Sequence, residues 1–95
     1  MKLLSIQPST RKDKKLVALF DLGDEKFKAV HFGAKGYSDF PTHKNEDRKE
    51  LYLQRHSKNE DWTDPLKPGT LSRFVLWNKP SLDASISDYK RRFRL

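Results

Sequence analysis

The chain has 95 residues, of which 35% are hydrophobic and 35% charged, and its 20 Lys/Arg outnumber its 13 Asp/Glu to give a formal charge of +7. That length allows one domain with a thin stability margin, and the lack of cysteine excludes disulfide staples and thiolate metal sites. No apolar run approaches a membrane span, and Ser5, Gln7 and Pro8 follow Met1-Lys2-Leu3-Leu4 before a signal-type hydrophobic region can develop, so the chain reads as soluble and unsecreted.

The first third reads as β. Leu3 to Ile6 is a short strand stopped by Pro8, and Lys15 to Leu22 and Lys26 to Phe32 form a hairpin around Gly23-Asp24-Glu25. In the third strand Phe27, Ala29 and His31 share one face and Lys28, Val30 and Phe32 the other, and one of these faces is expected to meet the helices. Gly33-Ala34-Lys35-Gly36 ends the sheet. Thr42 or Asn45 can then cap a helix running to about Ser57, whose stripe of Arg48, Leu51, Tyr52, Arg55 and His56 has only two apolar members. Asn59 to Gly69 reads as a loop anchored by Trp62. Thr70 is the expected cap of a short helix carrying Leu71, Phe74 and Val75, ended near Asn78 by Pro80, with Trp77 on a different side. Ser81 caps a last helix in which Leu82, Ile86, Tyr89 and Phe93 repeat at helical spacing. The expectation is a single α+β domain, 1–95, mainly β over 1–32 and mainly α over 42–95. A small antiparallel sheet led by the N-terminal hairpin packs against about three short helices.

The charge is uneven. Residues 1–40 hold eight Lys/Arg against five Asp/Glu, residues 41–64 five against six, and residues 65–95 seven against two. Two basic clusters result: Arg11, Lys12, Lys14 and Lys15 at the amino end, and Lys90, Arg91, Arg92 and Arg94 at the carboxyl end. Together with Lys35 these are the candidate contacts for an anionic partner, and two clusters suit an extended one. Solubility and the protection of sheet edges explain such charges equally well.

From His31 to Trp62 the only large aliphatic residues are Leu51 and Leu53. Aromatic packing, hydrogen bonds and ion pairs must therefore hold this stretch. Arg48, Tyr52, Arg55, His56, Trp62 and Trp77 form the expected polar and aromatic centre, with Arg48, Arg55 and Arg73 pairing with carboxylates and capping carbonyls. His31, His43 and His56 stand among Glu46, Asp47, Glu50 and Glu60, but no histidine pair has metal-site spacing. His56, Asn59 and Glu60 have the outline of a nuclease centre without its second histidine or acidic ligand. The Gly33 to Gly36 run has the form of a phosphate-gripping loop, yet it follows a strand, so a plain turn is expected with Lys35 still able to touch phosphate. Tyr37 and Trp77 are the candidates for stacking a base, whereas Trp62, Phe74, Tyr89 and Phe93 read as packing residues. No catalytic residue, metal, cofactor or small-molecule substrate is expected.

The order His31-Phe32-Gly33, Asp39-Phe40, His43-Lys44, Asp47-Arg48-Lys49, Tyr52, Arg55-His56, Asn59-Glu60, Trp62, Asp64-Pro65, Gly69, Leu71-Ser72-Arg73, Leu76 to Pro80 and Tyr89 to Phe93 resembles a family of small uncharacterised proteins encoded by large DNA viruses of algae and amoebae. The resemblance covers roughly residues 26–95 and brings no known activity. It implies a virion or infected-cell setting and other viral structural proteins as partners. The expected function is that of a non-enzymatic, basic structural protein, a minor capsid or other virion component making protein contacts. The alternative is sequence-independent nucleic-acid binding through the two basic clusters.

Overall fold

The computed structural model describes residues 1–58 and 60–95. Three antiparallel strands in the order β1-β2-β3, β1 (Lys2–Pro8), β2 (Lys14–Gly23) and β3 (Lys26–Ala34), form the sheet. The hairpin turns at Asp24 and Glu25, whose positive φ angles follow that of Gly23. β3 extends two residues beyond Phe32, so Gly33 and Ala34 belong to the strand and not to the connector.

The sheet's inner face is set by register. Leu3 pairs with Phe20, Leu16 with Phe32, and Ala18 with both Ile6 and Val30, so the branched and aromatic residues line up on one side. Ala18, Phe20, Val30 and Phe32 are buried there, while Phe27 and Ala29 on the opposite face are exposed. Of the two faces of β3, the Val30 and Phe32 side therefore meets the helices.

Four helical segments follow. Asp39 caps a one-turn helix, α1 (Phe40–His43), and Asn45 caps α2 (Glu46–His56) by accepting from the N–H groups of Asp47 and Arg48. Thr42 thus belongs to a separate turn, and Asn45 is the cap of the longer helix. The third helix starts earlier than Thr70: α3 (Pro68–Leu71) opens at Pro68, where a missing N–H costs nothing. Thr70 is buried inside that helix, and its hydroxyl donates to the Asp61 carbonyl at 3.2 Å. α3 runs directly into a π-helical turn, Ser72–Leu76, closed by the Trp77 N–H donating to the Ser72 carbonyl. The last helix, α4 (Leu82–Phe93), is capped by Ser81 as expected.

Leu71, Val75, Leu76 and Tyr89 close the core over the sheet. On α4 the buried positions are Ser85, Asp88 and Tyr89, while Leu82 at the head of the expected apolar stripe stays exposed. Two of these three carry short polar side chains, whose satisfied hydrogen bonds let them enter the core. α2 buries no residue at all. No described helix is long and apolar enough to cross a membrane.

Candidate functional site

A groove of about 530 Å³ runs between the end of the sheet, the connector to α1, and the helices α2 and α3. It continues into a shallower recess of about 360 Å³, with which it shares Tyr37, Ser38, Tyr52, Arg55, His56 and Trp77. Its walls bring together much of the stretch from His31 to Trp62 that lacks aliphatic residues.

The sheet side is fixed by one ion pair. Lys15 Nζ donates to Asp39 Oδ2 at 2.6 Å, and Asp39 Oδ1 accepts from the N–H and the hydroxyl of Thr42. Burial pushes the Asp39 carboxyl up, but the bonds from Lys15 and Thr42 outweigh it and hold the group below the usual carboxylate range. Asp39 thereby ties β2 to the first turn of α1. Lys15, expected among the free cations, is committed to this pair.

The helix side is fixed by aromatic rings. Tyr52 lies between Trp77, with centroids 4.4 Å apart and planes 4° apart, and His56, at 4.3 Å and 27°. His43 approaches Trp77 at 5.4 Å, so four rings form a column. Both faces of Tyr52 are covered, and burial pushes its hydroxyl strongly upward. Trp77 owes its place to the π-helical turn, whose wider winding re-aims the residue that follows it. His43 Nδ1 accepts from the Asn45 N–H at 2.9 Å, which leaves the ring proton on Nε2. That atom is buried without a hydrogen-bond partner among the described residues, and burial, followed by the Arg48 charge, pushes the ring's pKa down.

Below the column, His56 Nδ1–H donates to Glu60 Oε1 at 3.0 Å and Trp62 Nε1–H donates to Glu60 Oε2 at 2.7 Å. A Cβ added to Gly69 would lie 3.0 Å from Glu60 Oε2, so glycine keeps room for this carboxylate. The Arg73 guanidinium lies over Trp62 and Phe74 and donates to the Trp77 carbonyl at 2.8 Å. Tyr52, His56 and Trp77 stack together, and Glu60 joins Trp62 to them through His56. Arg73 caps a carbonyl as expected, but Arg48 and Arg55 are exposed and form no ion pair among the described residues. They line the recess instead. Asn59, the middle residue of the nuclease-like outline, lies outside the described residues. No three described His, Asp or Glu side chains gather closely enough to hold a metal ion.

The two basic clusters lie apart. Leu82, the first residue of α4, lines a 170 Å³ crevice together with Lys15 and Asp39, so α4 begins at the amino-terminal cluster and ends about 18 Å farther along its axis. The carboxyl-terminal cluster is partly spent on Asp88, which accepts from Arg91 at 2.9 Å, from Arg92 at 2.6 Å and from the Asn78 amide at 2.6 Å. The Arg92 bond, with burial opposing it and Asn78 and Arg91 assisting, holds Asp88 far below the usual carboxylate range. At the other end, the Lys35 N–H donates to the Asp13 carbonyl and Lys14 pairs in register with Ala34. Arg11, Lys12, Lys14 and Lys35 therefore surround one end of the sheet, and Lys14 also lines the groove. Of the run from Gly33 to Gly36 only Lys35 and Gly36 form the turn, Gly33 and Ala34 being strand residues, and the Lys35 and Tyr37 N–H groups are used within the chain, so neither is offered to an anion.

Residues 4–56, more than half of the chain, match the model of a family of unknown function, DUF5754. The chain belongs to that family. No curated protein and no solved structure matches it. The match begins within β1 and takes in β2, β3, α1 and α2. It supplies Lys14, Tyr37, Asp39, Tyr52, Arg55 and His56 to the groove, while Glu60, Gly69, Ser72 and Trp77 come from the segment that follows.

Sequence reasoning missed Asp39 and Asp88. The signal for Asp39 was its place three residues before Thr42, which is ordinary helix-cap spacing. Asp88 lies four residues before Arg92, a spacing that pairs side chains on one helix face.

Proposed function

We propose that the chain is a binding module for an extended polyanion, with nucleic acid held without regard to sequence at the basic end of the sheet. The observation that carries this reading is continuity: Lys14 belongs both to the cluster of Arg11, Lys12 and Lys35 and to the wall of the groove. Arg48 and Arg55 stand uncommitted on the facing helix. Phosphate binding needs accessible cations along a track more than it needs a shaped pocket; Lys14 is half-buried, and the one carboxylate paired within the cluster, Asp13, meets Arg11 only at 3.8 Å between exposed side chains. The carboxylates in the groove are already engaged, Asp39 by Lys15 and Glu60 by His56 and Trp62.

Binding of a fluorescent oligonucleotide, followed by anisotropy across salt concentrations, tests this. Four phosphates neutralised on a single strand would give a slope of log affinity against log salt of roughly −3. Replacing Arg11, Lys12, Lys14 and Lys35 with Gln should remove binding, and replacing Lys90 and Arg94 should leave it. Absence of binding at low salt would sink the reading.

A second reading, that of a virion component making protein contacts, is favoured by the outer face of the sheet. Phe27 is 61% exposed, Leu4 49% and Leu19 38%. Exposed apolar surface of this kind is what protein partners bury. The resemblance to small proteins of large DNA viruses supports the same setting, and absence of the protein from purified particles would overturn it.

A further inference from the structure

We infer that the groove is a site for single-stranded nucleic acid, in which a base stacks on Tyr37 while its flanking phosphates lie between Lys14 on one wall and Arg55 on the other, with Arg48 following in the adjoining recess. This rests on the polyanion reading above and adds strandedness and a defined contact to it.

Tyr37 is 75% exposed, the most exposed of the chain's large hydrophobic side chains, and no described aromatic ring packs on it. It lines both the groove and the recess. A large ring left in water at the mouth of a cationic groove is the combination that single-strand binders use, because every base offers a π face and every linkage a negative charge. Trp77, the other candidate for stacking, is covered by Tyr52 on one face and approached by His43, so the ring column forms the wall and Tyr37 the platform. Cations stand on both walls, with Lys14 on β2 and Arg55 on α2, and Arg48 continues the α2 side in the adjoining recess. A single strand lying along the groove meets both sets with its bases free to stack, whereas a duplex keeps its bases paired and has none to offer Tyr37. Of the other charged groups around the groove, Lys15 and Asp39 form an ion pair, and Glu60 is engaged by hydrogen bonds from His56 and Trp62.

The test compares oligo(dT) with a duplex of equal length at one salt concentration, using the wild-type chain, Tyr37→Ala, Tyr37→Phe and Arg55→Gln. Tyr37 and Arg55 are exposed, so these variants should keep the fold, which circular dichroism verifies. The single strand should bind about tenfold more tightly than the duplex. Tyr37→Ala should weaken single-strand binding roughly tenfold and leave duplex binding unchanged, Tyr37→Phe should retain it, and Arg55→Gln should weaken the single strand more than the duplex. Equal affinity for the two forms, with no effect of Tyr37→Ala, would overturn the inference while leaving the polyanion reading in place. Failure of both forms to bind would overturn both.

Discussion

Tyr52 and Trp77 stack with their planes 4° apart and their centroids separated by 4.4 Å, a contact that ties α2 to the residue following the π-helical turn. α2 buries no residue, so a helix of eleven residues that would be marginal alone is held by contacts such as this pair and the Lys49 ammonium over the Phe40 ring, 5.0 Å from its centroid.

Tyr52→Ala should therefore cost about 2–4 kcal/mol. Its signature should be local: hydrogen exchange of the α2 amides should accelerate to near unprotected rates while amides of β2 remain protected. Uniform acceleration across both elements would show that α2 is integral to the core.

Gly33 sets a second prediction. Its φ is +79°, and a Cβ there would lie 2.6 Å from Leu76 Cδ1. Both strain and overlap oppose any side chain, so Gly33→Ala should destabilise by about 3 kcal/mol or prevent folding. Gly36 has φ +92° but open space around it, and Gly36→Ala should cost only about 1 kcal/mol. Urea midpoints of the two variants should fall in that order.

Acid should weaken the fold through Asp39 and Asp88. Both carboxyls are held below their ordinary value of 3.8, so the unfolded chain takes up these protons first. Their contribution is complete at neutral pH, begins to fall as pH drops to about 4, and is lost through the lower folded-state values. Asp88→Asn should destabilise by about 1–3 kcal/mol at pH 7 and flatten the decline of the urea midpoint between pH 5 and pH 3. An unchanged acid limb would show that Asp88 does not carry it.

Glu60→Gln should disturb the groove without unfolding the chain. The carboxylate joins His56 and Trp62 at 3.0 and 2.7 Å, and an amide can accept from only one of them in the same geometry. Trp fluorescence should shift, and the stability loss should stay near 1 kcal/mol. A spectrum identical to that of the wild-type chain would argue against the Trp62 contact.

The strands, the Ser81 cap and the aromatic centre were legible because their signals are local: an apolar run from Leu16 to Phe20 that ends before the turn residues Gly23-Asp24-Glu25, a cap residue before a periodic stripe, and rings too many for solvent. The start of α3 was not, since Thr70 and Pro68 both offer starts and only the hydroxyl bond from Thr70 to the Asp61 carbonyl decides between them. The fates of the cations were hidden for a related reason. Lys15 and Lys14 are neighbours in sequence, but 24 residues later Asp39 reaches one and not the other, a pairing set by the register of β2 and β3. The groove joins residues 14 to 77, and no spacing along the chain encodes such a meeting.

The most direct test of the polyanion account is a map of amide chemical shifts during titration of the full chain with oligo(dT) at low salt. Changes confined to residues 11–14, 35–38 and the Arg55 region would match the account. Changes centred on Lys90 to Arg94, changes centred on Leu19, Phe27 and Ala29 across the outer sheet, or a spectrum that does not move, would contradict it.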